Sequence, residues 1–229
     1  MAFTNSQHTV RRFDAEINGL VNQVLEMGRA AEMQVTRAVE ALRMGDGETA
    51  QAVVAGDDTI NHLDLDIQQG CLRLLSRRQP MSTDLRLVMS LNKAISDLER
   101  IGDEAKTIAK KALAIKRRGN GLQSGITADI SRLAEIVLQR FQAAQQILAQ
   151  LNTEQAWQIV HQNENAVDEA FGNSLRALSV YVLDNGPAVA TVIDIVLALK
   201  ALKRVADHAE NLAEYVIYVV EGQDVRHAI

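Results

Sequence analysis

Glu99 and Asp103 stand four residues apart in a helix-periodic stretch, so their carboxylates lie one turn apart on the same side of one helix. Like charges at that spacing cost a helix roughly a few tenths of a kcal/mol, and more as they leave water. A bound cation reverses the sign of that interaction. Gly102, beside them, lets a neighbouring backbone approach closely. In the preceding helical stretch Asp57, Asn61 and Asp64 fall at i, i+4 and i+7 and make one stripe of oxygen donors. Packed against Glu99 and Asp103, they would form a pocket suited to a hard or borderline cation such as Mg, Mn, Fe or Zn. The alternative is a solvated face on which Asp103 pairs with Lys106 and Glu104 with Arg100. Both readings stay open on sequence physics.

Little else in the chain offers chemistry. The five histidines show no H-x-x-x-H grouping, and the Glu-x-x-His motifs of di-iron bundles are absent. His208 follows Asp207 but points about 100° away around the helix, which predicts a surface position. Cys71 is the single cysteine, so no intramolecular disulfide forms; it reads as a small apolar helix residue in a reducing compartment. A metal-dependent hydrolase or oxidase using the carboxylate pocket is the enzyme alternative, but it would need a general base that the sequence does not supply. The expectation is therefore a protein that is not an enzyme.

The elements that must position these residues are all helices. Apolar residues recur with a period near 3.6 almost end to end, and strand patterns are nearly absent. Val88, Leu91, Ile95, Leu98, Gly102, Ala105 and Ala109 recur 104 positions later as Val192, Ile195, Leu199, Leu202, Ala206, Ala209 and Ala213. Asp103 recurs as Asp207, so a second, related site is expected. At a shift of 106, Asp57, Asn61 and Asp64 meet Asn163, Val167 and Ala170. The periodicity predicts helices over about 9–43, 48–78, 82–118, 127–151, 153–183 and 187–222, with Ser82 or Thr83 capping the third. The expected architecture is all-α: a three-helix bundle at 1–118, a Gly-rich linker at 119–126 and a second three-helix bundle at 127–229.

Composition agrees with such a core. Hydrophobic residues make up 47% of the 229 residues but aromatics only 3%, so the interior must be aliphatic and alanine-rich. The formal charge of −5 argues against nucleic acid as a main partner, because phosphate neutralisation needs a basic surface. Asp194 and Lys200 interrupt the best apolar run, and the first residues lack a signal peptide's apolar core, which predicts a soluble, cytoplasmic protein.

Several runs resemble the PhoU family of phosphate-signalling proteins. They are Arg78-Gln79-Pro80, Thr83 through Met89, Leu98-Glu99-Arg100-Ile101-Gly102-Asp103, Glu214 through Tyr218, and Gly222 through His227. The resemblance covers essentially the whole chain. It implies two tandem three-helix bundles, each with a Glu/Asp-x-x-x-Asp motif able to hold a metal cluster. The first motif is intact as Glu99 and Asp103; in the second, Lys203 stands where an acid is expected before Asp207. For function the resemblance implies a cytoplasmic adaptor between a phosphate ABC transporter ATPase and the sensor histidine kinase of the phosphate regulon. Such an adaptor acts as a homodimer, sits at the membrane through its partners, and damps signalling when phosphate is plentiful.

Overall fold

The computed structural model describes residues 11–119, 121–161, 165–184 and 189–225; the side chain of Asp57 is outside that description. Every described element is a helix: α1 (Arg11–Met44), α2 (Gly47–Arg78), α3 (Ser82–Arg117), α4 (Ser124–Gln150), α5 (Thr153–His161), α6 (Asn165–Asp184) and α7 (Val189–Glu221). Helices α1 to α3 pack on one another as the first bundle, and α4 to α7 form the second. The bundles are joined where α3 lies against α7 and α1 against α4. The predicted fifth helix corresponds to α5 and α6, with 162–164 outside the described residues. So are Arg226 and His227 of the C-terminal run.

The repeated seam drives the assembly. Val88, Leu91, Ile95, Leu98, Gly102, Ala105 and Ala109 are all buried, as are Ile195, Leu199, Leu202, Ala206, Ala209 and Ala213; Val192 is half-buried. One continuous aliphatic core results, in which Met27, Ile60, Leu91, Ile108 and Phe141 are among the largest fully buried side chains. Burying each such side chain contributes about 1.5–3 kcal/mol relative to exposure, far more than any surface pair on the molecule.

The ends of the helices follow local chemistry, with two departures from expectation. Gly45 ends α1 at a φ of +64°, and Asp46 then caps α2, its Oδ1 accepting from the backbone N–H groups of Glu48 (3.0 Å) and Thr49 (3.2 Å). Neither Ser82 nor Thr83 caps α3. Extended Met81 holds the cap position without a side-chain bond, and Ser82 is left-handed at a φ of +52° as the chain turns after Pro80. Helix α4 starts at Ser124, inside the expected linker. Arg86 ties the two ends of the fold together, its Nε donating to the Val219 carbonyl (3.0 Å) in the last turn of α7. Cys71 is buried as expected, and burial pushes its thiol up to about 11. Among the described residues no helix is long and apolar enough to cross a membrane.

Candidate functional site

Gly102 sets the geometry of the first candidate site. A Cβ placed there would lie 2.8 Å from Ile60 Cδ1, closer than real carbon atoms approach, so only glycine lets α2 and α3 meet at this height without displacing Ile60. Asn61 follows Ile60 on α2, and Glu99 and Asp103 flank Gly102 on α3. Asn61, Asp64 and Glu99 are half-buried, while Asp103 is exposed. Burial raises the Asp64 carboxyl above its ordinary range, the expected response of a carboxylate losing water. Amide and carboxylate oxygens of this kind hold hard cations. Among the described residues, however, no group of three or more His, Cys, Asp or Glu side chains is gathered closely enough to hold a metal. Asp57 belongs to the same stripe, and its side chain lies outside the description.

The matching face of the second bundle is built differently. The Lys203 ammonium reaches across to the Asp168 carboxylate on α6. Arg140 on α4 pairs with Glu210 at 2.5 Å, and Asp207, Ala206 and Val167 line the same small pocket. Val167 therefore takes, beside Ala206, the place that Ile60 takes beside Gly102, and Asp168 takes that of Asn61. The shift of 106 placed Val167 opposite Asn61, one residue out of this packing register. Burial of Val167, Ala170, Ser174 and Leu178 reveals the register, since these residues form the inward stripe of α6. Asn163 is outside the described residues.

Sequence reasoning missed the polar joint between the bundles. Asp97 is 2% exposed on α3, yet its carboxylate accepts from three side chains of α7: His208 Nδ1 (2.8 Å), Asn211 Nδ2 (3.0 Å) and Tyr215 Oη (2.6 Å). Burial pushes this carboxyl up, but the bonds from His208, Tyr215 and Asn211 together outweigh it and hold the group below the usual carboxylate range. His208 is accordingly half-buried rather than on the surface, because α7 turns that side toward α3. Asp194 makes a second joint, paired with Lys111 (3.1 Å) and Arg118 (2.5 Å), and Glu104 pairs with Arg204 (2.8 Å). One signal was available: Asp97 falls between Ala94 and Ile101 on the inward stripe of α3, where an acid needs a partner.

Comparison with known proteins matches the PhoU domain twice, at residues 24–112 and 130–216. The chain is 37% identical over 222 residues to the phosphate-specific transport system accessory protein PhoU homolog of Pseudomonas aeruginosa, covering 97% of this chain and 90% of that one. It is 38% identical to the protein of the same description from a Burkholderia species, covering 96% and 94%. The crystal structure of PhoU from Pseudomonas aeruginosa superposes with a TM-score of 0.85 at 36% identity, covering 92% of this chain and all of that one.

Proposed function

The chain belongs to the PhoU family of regulators of phosphate transport, accessory proteins rather than enzymes, and we propose that it acts as a cytoplasmic adaptor. In this reading it links a phosphate ABC transporter ATPase to the sensor histidine kinase of the phosphate regulon, works as a homodimer, and damps signalling when phosphate is plentiful. The observation that carries the reading is the family match over both bundles at 37% identity to a phosphate-transport accessory protein. Deleting the gene should leave phosphate-starvation genes switched on in phosphate-rich medium, read as constitutive alkaline phosphatase. Output still repressed by phosphate in the deletion strain would sink the negative-regulator reading.

We further infer that the first bundle holds a metal ion through Glu99 and Asp103, with Asp57, Asn61 and Asp64 supplying the remaining oxygen donors, and that Asp207 in the second bundle holds none. The contrast between the two faces supports this. In the second bundle the Lys203 and Arg140 cations already lie against the acids, whereas the aligned position in the first is the acid Glu99. A positive charge about 4 Å from a divalent ion repels it by several kcal/mol at the effective dielectric of a protein surface. Fe, Mn, Mg and Zn all suit oxygen donors, and elemental analysis of protein purified without chelators decides among them. E99A/D103A should lose most of the bound metal while D207A keeps it; equal metal in wild type and E99A/D103A would place the ion elsewhere.

A further inference from the structure

A groove of ≈350 Å³ runs between the N-terminal half of α1 and the C-terminal half of α2, on the opposite side of α2 from the carboxylate stripe. The exposed Ala15 and Gly19 of α1, Gly70 of α2 and the buried Leu20 and Leu74 line it, together with the exposed Arg73 and Arg77.

Gly19 has no packing reason to be glycine. It sits exposed in a helix interior, where glycine is less stable than alanine, and a Cβ there would meet nothing within 4 Å. Its effect is to keep the groove open. The left-handed residues Gly45 and Leu151 that end α1 and α4, and the matching hydrogen bonds of Asp46 and Asn152 after them, set the two bundles in register at a shift of 106, so Gly19 meets Gly125. In the packing register of α2 with α6, Val180 and Asp184 stand where the first bundle carries Arg73 and Arg77. The pair of arginines is thus particular to the first bundle.

The charge in the groove is also specific. Glu16 at its edge is neutralised by Arg78, whose Nε and Nη2 donate to it at 3.0 and 2.8 Å. The guanidinium groups of Arg73 and Arg77 make no hydrogen bond or ion pair among the described residues, and both are exposed. Two uncompensated cations therefore flank a trench lined by Gly19 and Gly70 on a chain of net charge −5. At i and i+4 they are spaced like two carboxylates one turn apart on a facing helix. Their exposure suits a macromolecular segment better than a small ion, which needs converging buried donors.

We propose that this groove docks an acidic helical segment of a protein partner. Two carboxylates of that segment meet Arg73 and Arg77, and its backbone seats over Ala15, Gly19 and Gly70. The inference rests on the adaptor reading for the proteins to be tried. The test measures binding of the full purified chain to the kinase cytoplasmic domain and to the transporter ATPase subunit, at low and high salt. At Gly19 a Cβ meets nothing within 4 Å and leucine favours the helix over glycine, so G19L, whose side chain enters the open trench, should melt no lower than wild type. It should nonetheless bind one of the two proteins about tenfold more weakly, as should R73E/R77E, and salt should weaken the wild-type complex. Wild-type affinity in a folded G19L for both proteins would overturn the groove assignment and leave the adaptor intact. Failure of the wild-type chain to bind either protein would overturn both readings. Should R73E/R77E fold poorly, G19L and the salt dependence decide.

Discussion

Replacing Asp97 by alanine is expected to lower the stability of the protein by about 3–5 kcal/mol, one of the two largest single-site effects expected. The carboxylate is buried and accepts three bonds from α7, so its loss leaves the His208, Asn211 and Tyr215 donors facing a gap. Tyr215 is itself buried, and water reaches its hydroxyl poorly. For a chain of this length each kcal/mol corresponds to roughly 2–4 °C, so the melting temperature should fall by about 10 °C. Asp97→Asn keeps one oxygen acceptor and should cost less. The pH dependence has a definite sign. The folded-state carboxyl lies below its ordinary value, so its contribution is present in full above the unfolded value near 4 and is lost as pH falls through the depressed folded value. Wild type should therefore lose its advantage over Asp97→Asn on acidification below about pH 4. A melting temperature for Asp97→Ala within a degree or two of wild type at neutral pH would show that the joint between α3 and α7 does not depend on this cluster.

Gly102→Leu should be comparably damaging, at about 3 kcal/mol, by a different route. The site where α2 crosses α3 already places Ile60 Cδ1 2.8 Å from where a Cβ would sit, so a leucine has no room unless the helices part. Alanine at the same position is expected to be close to neutral. Its higher helix propensity contributes about 1 kcal/mol, which roughly offsets moving the flexible end of Ile60. Shortening the neighbour should rescue the large variant: G102L/I60A should recover a substantial part of the lost stability, because the two side chains compete for one volume. Additive losses in thermal melts of the double variant would mean that Ile60 is not what glycine makes way for. Parting α2 from α3 also separates Asn61 and Asp64 from Glu99 and Asp103. Under the proposed metal site, Gly102→Leu should therefore bind less metal than I60A.

The helices, the repeat and the core were readable from residue spacing alone. Leu91, Ile95 and Leu98 announce a buried seam because each helix enforces its own 3.6-residue period, and the same residues are buried in the structure. That Glu99 and Asp103 lie one turn apart on one helix was legible for the same reason. Helix ends were less so: the cap expected of Ser82 gave way to a left-handed turn set by the chain's path after Pro80. What the sequence could not determine is which helix faces which, and at what height. Asp97 meets His208 across 111 positions and Lys203 meets Asp168 across 35, pairings that exist only once α3 packs on α7 and α6 on α7. Periodicity is a local property that tells each residue whether it points inward. The register between helices is decided by how whole side-chain surfaces interlock, and that register chose the partners of Asp97, Lys203 and Ile60.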